Sequence, residues 1–213
     1  HIMQAPPGAL FVCRNADNIV PPHASQLGGV TATVEYAVMV LGVRDIIVCG
    51  HSDCGAMKAH FAPEGALDAM PSVKEWIGHS TAAHSVIEAC CGSADDGEKL
   101  DRLVEENVIL QLTHLRSHPC VAAALAKGEL RLHGWVFDIS EGAIRALDGE
   151  SGKFRRMEDP QHPVPVADFG GNRQQAREAA CPPSPFPGPV PVRRSLSAPA
   201  HPPVRCADPR LLH

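Results

Sequence analysis

The chain has 213 residues, 44% of them hydrophobic, and a formal net charge of −5; this length and composition allow one domain with a real core and an appendage. A negative chain without a basic cluster is not expected to bind nucleic acid. No apolar run approaches the roughly 20 residues of a membrane span, and no basic segment followed by an apolar signal core opens the chain, so we expect a soluble, cytoplasmic protein without a membrane partner.

The first quarter of the chain alternates between strand-like and helix-like patterns. Residues 10–13 form a short apolar strand candidate. Apolar positions in residues 26–41 recur at helical spacing, and the following Gly42 is typical of a helix end. Residues 46–49 are apolar on both faces, as in a strand covered by helices, and residues 56–61 begin another helix.

The middle of the chain is mostly helical before a final pair of strands. Helical patterns occupy four segments: residues 72–79, 84–90, 99–116 and 121–126. Strands are predicted at residues 130–139 and 143–147, on either side of a turn. This alternation predicts an α/β fold with a largely parallel central sheet flanked by helices.

The composition changes from residue 159 onward, where 13 of the 20 prolines lie. Proline removes backbone donors and resists both helices and central strands. We therefore predict one α/β domain over residues 1–158 and a Pro-rich, disordered tail over residues 159–213. A docking ligand for a polyproline-binding partner is the alternative interpretation of the tail.

The chain contains eight cysteines, but it lacks the regular spacing and the secretion signal of a disulfide framework. Free thiols are therefore expected. Cys13, Cys49 and Cys120 have apolar neighbours and are interpreted as small core residues. Among the eight, Cys54 is the cysteine whose neighbouring residues in the sequence suggest a metal-binding site.

Residues 51–54 read His-Ser-Asp-Cys and follow the apolar strand at residues 46–49. Zinc favours imidazole nitrogen and thiolate sulfur, and His51 and Cys54 can reach one ion from a single turn. Spacing alone leaves metal ligands and ordinary loop residues equally favoured. Ligands in α/β sheets gather beyond the carboxyl ends of strands, which favours metal. A catalytic zinc needs a third protein ligand, which this motif does not supply.

Four ordered blocks carry a resemblance to a known family. They are Phe-Val-Cys-Arg-Asn-Ala-Asp-Asn-Ile-Val at 11–20, Gly-Gly-Val-Thr-Ala-Thr-Val-Glu-Tyr-Ala-Val at 28–38, the segment 41–58 that contains the His-Ser-Asp-Cys motif, and Leu-His-Gly-Trp-Val-Phe-Asp at 132–138. Together they resemble the β-class carbonic anhydrases over about residues 7–154.

The resemblance implies the β-carbonic anhydrase fold and a zinc lyase that reversibly hydrates CO2 to bicarbonate. It implies that His51 and Cys54 bind Zn²⁺ and that Gly55 lies at the CO2 pocket. It also implies a homodimer or higher homo-oligomer, with the helix at residues 30–41 near the subunit contact.

The family's remaining Cys ligand and its catalytic Asp-Arg dyad come from a Cys-x-Asp-Ser-Arg segment, which this sequence does not contain. We therefore expect an N-terminally truncated fragment with impaired activity, and no catalytic residue is assigned. Cys13 matches a position that is not a ligand in the family, and His23 is interpreted as a solvated loop residue. Asp17 stands where the family commonly has glycine.

Two alternatives remain on the same fold. One is a non-catalytic remnant or interaction protein that uses the Pro-rich tail to bind partners. The other is a hydrolase of carbonyl sulfide or carbon disulfide, because both are linear, CO2-like molecules. A nucleotide-binding module is disfavoured, since neither a Gly-x-Gly-x-x-Gly nor a Walker-type loop is present.

Overall fold

A computed structural model of the chain describes residues 3, 5–24, 28–91 and 93–157. The predicted tail at residues 159–213 lies outside the described residues. The helices are α1 (Gly29–Met39), α2 (Gly55–Lys58), α3 (Pro71–Ile77), α4 (Thr81–Cys90), α5 (Asp96–Leu115) and α6 (Pro119–Ala126). The strands are β1 (Asp45–His51), β2 (Arg131–Asp138), β3 (Ala143–Leu147) and β4 (Phe154–Arg156), and short 3₁₀ turns cover Ala16–Asn18, Ala59–Phe61 and Gly78–Ser80.

The four described strands form one sheet in the order β1-β2-β3-β4. Strands β1 and β2 are parallel, with Asp45 opposite Arg131 and His51 opposite Phe137. Strand β2 pairs with β3 and β3 with β4 in antiparallel fashion. The predicted α/β fold is confirmed as a mixed sheet flanked by helices, in which one of the three described pairings is parallel.

Helix α5 forms the main layer of the core over β1 and β2. Its buried apolar side chains include Val104, Val108 and Leu112. A Cβ atom added to Gly134 of β2 would lie 3.0 Å from side-chain carbons of both Val108 and Leu112. A Cβ on Gly50 of β1 would lie 3.0 Å from Val108. Glycine in both strands thus lets the helix approach the parallel pair closely.

Helix α5 begins three residues before its predicted start because it carries a polar N-cap. The backbone N–H of Glu98 donates a hydrogen bond to Asp95 Oδ1 over 2.8 Å. This contact satisfies one of the free N–H groups of the first turn.

Among the described residues, no helix is both long and apolar enough to cross a membrane.

The predicted strand at residues 10–13 is not a strand, and the prediction that Cys13 is a core residue is also wrong. Residues 10–15 have no regular structure, and Cys13 is exposed. A strand needs a neighbour that binds its backbone groups. No strand among the described residues pairs with this segment, so its apolar sequence does not by itself produce a strand.

Gly134→Ala is expected to destabilise the protein by about 1–3 kcal/mol, because the new methyl group overpacks the α5 contact. Urea unfolding followed by circular dichroism measures this change in the free energy of unfolding. Gly78→Ala is the matched control, since nothing lies within 4 Å of its added Cβ. Equal losses in the two variants would contradict the close packing of α5 on β2.

Candidate metal centre

His51 and Cys54 lie where β1 ends and α2 begins. His51 is the last residue of β1, and Cys54 immediately precedes α2. Ser52 fixes the turn between them, because its N–H donates to Phe137 O over 2.9 Å and its Oγ accepts from Ile139 N over 2.9 Å. The turn is thereby bound to the end of the neighbouring strand β2, so residues 51–54 lie at the carboxyl ends of the two parallel strands.

Cys54 is buried, with 2% of its surface exposed, and its thiol contacts one carboxylate. The Cys54 Sγ–H donates to Asp17 Oδ1 over 3.1 Å. Asp17 is also buried, and its φ of 64° lies in the left-handed region that favours glycine. The described structure therefore brings together a predicted metal ligand and an acidic residue to which sequence reasoning gave no role.

Burial shifts the titration of both partners in the metal-free chain. Burial raises the pKa of Cys54 to about 11, and the adjacent Asp17 carboxylate contributes in the same direction. Burial also raises the pKa of Asp17 to about 6, although the hydrogen bond from Cys54 opposes that shift. The thiol is consequently protonated at neutral pH, and a metal ion that binds its sulfur displaces this proton.

A chain of buried amides holds Asp17 in place. Asn107 Nδ2 donates to Asp17 Oδ2 over 3.1 Å, and Gln111 Nε2 donates to Asn107 Oδ1 over 2.7 Å. Gln111 Oε1 in turn accepts from Val20 N over 2.9 Å. His114 completes the chain by donating its Nδ1–H to Val20 O over 2.8 Å. The loop around Asp17 is thus anchored to helix α5 at both ends.

Sequence reasoning assigned α5 an apolar face and missed this amide chain. The available signal was the pair Asn107 and Gln111, which are spaced four residues apart on the face that also carries Val104 and Val108. Side chains at this spacing are neighbours on a helix. Their partners, Asp17 and Val20, lie about 90 residues away in the sequence, so no local pattern predicts the contact.

His51 and Cys54 carry an imidazole and a thiol, which are two of the groups that zinc binds in proteins. Among the described residues, no group of three or more His, Cys, Asp or Glu side chains is already arranged to hold a metal ion. Gly55 begins α2 beside Cys54, and nothing lies within 4 Å of the position that a Cβ would take there. The space at that position of Gly55 is therefore open.

The loop histidine His23 lies apart from helix α2, as part of the segment that packs on the end of α5. It is exposed, its backbone N–H donates to Ser117 Oγ over 2.8 Å, and its ring contacts the ring of His118 edge-on. These contacts are consistent with the predicted role of His23 as a loop residue.

A second group of rings follows α2. The His60 and His84 rings stack with centroids 5.1 Å apart, and Phe61 contacts His84 edge-on. Burial lowers the pKa of His60 to about 4, and the neighbouring His84 adds to the shift. The stack therefore favours a neutral His60 imidazole in the folded chain.

The fold and the position of His51 and Cys54 define a class: α/β proteins with an imidazole and a thiol at the carboxyl end of a parallel strand, where ligands gather in such sheets. Comparison with known proteins narrows this class. The family model described as carbonic anhydrase matches residues 1–144. The chain therefore belongs to the carbonic anhydrase family, whose members are lyases that hydrate CO2 and are generally zinc-dependent.

Individual relatives agree with this family. The carbonic anhydrase of Pseudomonas aeruginosa is 53% identical over 175 residues, which cover 82% of this chain and 77% of that protein. Carbonic anhydrase 1 of Escherichia coli O157:H7 is 49% identical over 141 residues, which cover 66% of this chain and 64% of that protein. The matched segments thus cover 77% of the length of the first relative and 64% of the length of the second.

Solved structures place the chain near the β-class enzymes. The β-carbonic anhydrase CcaA matches with a TM-score of 0.70 and 37% identity, over 73% of this chain and 75% of that chain. A structure from work on two tetrameric β-carbonic anhydrases of Sordaria macrospora matches with a TM-score of 0.59 and 32% identity, over 68% of this chain and 72% of that chain.

The free energy of unfolding is expected to decrease as the pH is lowered, because His60 gains a proton on unfolding. A histidine whose folded pKa is about 4 and whose unfolded pKa is about 6.5 binds its proton more readily in the unfolded chain, so acidification below pH 6.5 favours unfolding until pH 4. His60→Gln should remove roughly 1 kcal/mol of the loss between pH 7 and pH 5, after allowance for partial exposure.

Urea unfolding of the wild type and of His60→Gln at pH 7 and pH 5 measures this difference. The remaining titratable groups are common to both proteins, so their contributions cancel in the comparison. The same loss of stability in both proteins would contradict a neutral, half-buried His60.

Proposed function

We propose that this chain hydrates CO2 reversibly at a zinc ion bound by His51 and Cys54. The observation that carries the proposal is the placement of this pair at the end of β1, with Cys54 buried and His51 on the same turn. The relatives named carbonic anhydrase support it, since one of them shares 53% identity over 175 residues.

The residues around the pair have separate roles in this proposal. Cys54 supplies a thiolate after losing its proton, and His51 supplies a ring nitrogen. When bound, zinc lowers the pKa of water to about 7, which makes a nucleophile available at neutral pH. Gly55, the residue after Cys54, leaves room for a small linear substrate, because the position that a side chain would take there is open. Ser52 keeps the turn in register with β2 and so fixes the separation of the two ligands.

Cys54→Ser is expected to lower bound zinc at least about 10-fold, because a hydroxyl replaces the thiolate that zinc prefers. CO2 hydration, measured by stopped flow with a pH indicator, should fall in proportion to the zinc content. Elemental analysis of the full chain supplies that content.

Cys13→Ser is the matched control, because it makes the same chemical change at an exposed cysteine. Its zinc content and hydration rate should equal those of the wild type. Full zinc content in Cys54→Ser, or a wild-type chain that neither retains zinc nor hydrates CO2, would contradict the proposed function.

Self-association accompanies this function in our proposal, as a homodimer or a larger homo-oligomer. The end of α1 and the residues that follow it expose four large apolar side chains: Tyr36, Met39, Val40 and Leu41. The ring of Phe11 lies 6.1 Å from that of Tyr36 and extends this surface. Contiguous exposed apolar groups favour contact with another protein surface, and the β-carbonic anhydrases of Sordaria macrospora are described as tetrameric.

Met39→Glu should shift the chain toward monomers, because it places a charge at a side chain that is 68% exposed on this surface. Size-exclusion chromatography with light scattering measures the mass. Val73→Glu is the control, since it adds the same charge at an exposed apolar residue of α3. Unchanged mass in Met39→Glu would contradict an interface at α1.

A further inference from the structure

Within the described residues, two backbone stretches lack a hydrogen-bonding partner: the side of β1 that faces away from β2, and the segment at residues 10–13. We propose that the segment 10–13 of one copy of the chain pairs as a β-strand with this open edge of β1 in a second copy, and that the exchange is reciprocal. This inference rests on the self-association included in the proposed function, and it does not depend on zinc.

The first support is the open edge of β1. This strand pairs with β2 on one side, and no backbone hydrogen bond between described residues reaches its other side. The N–H and C=O groups of a strand point to its two sides at alternate residues, so about half of those in Asp45–His51 face the open edge. An edge of this kind is a template for another extended chain.

The two edges of the described sheet differ in their protection. Strand β4 has three residues, Phe154–Arg156, and both of its arginines form ion pairs. Short length and charge discourage the addition of another strand. Strand β1 has seven residues, contains neither lysine nor proline, and has the apolar sequence Ile-Ile-Val at residues 46–48. It is therefore the edge that favours an added strand.

The second support is the chemistry of the segment. Its sequence is Leu-Phe-Val-Cys, and Leu10, Phe11 and Val12 are 47%, 51% and 64% exposed. Aromatic and β-branched residues favour strands, yet no hydrogen bond between described residues reaches the backbone of residues 10–13. Both the backbone and the apolar side chains of the segment are thus available to a second surface.

The third support is the position of the segment at the surface that we propose for self-association. The Phe11 ring lies 6.1 Å from the ring of Tyr36 on α1. The short connection after α1 contains the exposed Val40 and Leu41 and leads directly into β1. A second copy that covers this surface therefore meets the segment and approaches the start of β1.

Contacts within the chain hold the segment in its unpaired position. Asn15 closes the loop that follows, since its Oδ1 accepts from Ile19 N over 2.9 Å and its Nδ2 donates to Ile19 O over 2.8 Å. Trp76 Nε1 donates to Ala16 O over 2.9 Å. A second copy supplies a strand edge without disturbing these contacts, and reciprocal exchange gives both copies the same interface, as in two-fold symmetric dimers.

Hydrogen exchange of the full chain tests the inference. The amides of residues 10–13 should exchange at least about 10-fold more slowly at concentrations where the chain self-associates than in the dilute monomer, because ladder hydrogen bonds protect them. The amides of Asp45–His51 should gain protection over the same concentration range. Mass spectrometry of the peptides that contain each segment measures the exchange, and light scattering measures the mass.

Two neighbouring proline variants separate strand pairing from simple apolar contact. The N–H groups of a paired edge strand face the partner at every second residue, so only one of Val12→Pro and Cys13→Pro removes a ladder hydrogen bond. That variant should raise the dissociation constant of self-association about 10-fold more than the other. Val12→Ala and Cys13→Ala are the matched controls, because they remove the same side chains and keep the N–H groups.

All four variants should give the circular dichroism spectrum of the wild type in the dilute monomer, since neither N–H is hydrogen-bonded within the described chain. Equal dissociation constants for the two proline variants would overturn the proposed strand. Protection of residues 10–13 that does not change with concentration would also overturn it, because the segment would then pair within its own chain.

The remaining outcomes separate this inference from the proposed function. A self-associated chain whose residues 10–13 exchange as rapidly as in the monomer would overturn the strand exchange and leave the α1 surface in place. A chain that is monomeric at every concentration would overturn both the exchange and the proposed self-association, and CO2 hydration would keep its own test.

Discussion

The close contact between helix α5 and the parallel pair β1 and β2 underlies the rest of the structure. Val108 packs against the backbone of both strands at Gly50 and Gly134, where a larger residue would meet its side chain. Gly50 directly precedes His51, the last residue of β1, so this packing supports the end of the strand that leads into the turn with Cys54. The same helix carries Asn107 and Gln111, so one element sets both the sheet edge and the loop that faces it.

The centre buries a carboxylate, a group that is unfavourable to bury without partners. Cys54 and Asp17 are both nearly inaccessible to solvent, and each stabilises the other through a hydrogen bond. A buried carboxylate without partners would destabilise the fold, whereas this one accepts from a thiol and an amide. The same arrangement keeps the Cys54 thiol at a fixed position beside the end of β1.

Most of the helices and three of the four described strands were predictable from local patterns. Strand β1 is a short apolar run bounded by polar residues, and α5 has a broad apolar face. Strand β4 was missed because Phe154–Arg156 has no alternating pattern of useful length. The strand predicted at residues 10–13 was wrong because an apolar sequence indicates only that a segment tends to be buried. It does not indicate whether a second strand lies beside the segment to bind its backbone.

The sequence by itself determined the family, the order of helices and strands, and the position of the His51-x-x-Cys54 motif after β1. Each of these depends on residues that are adjacent or regularly spaced in the chain. The tertiary structure alone decided that Asp17 contacts Cys54 and that Asn107 orients the carboxylate. Those contacts join residues 37 and 90 positions apart. Local periodicity carries no information about such distant pairs, which are set by how α5 packs across the sheet.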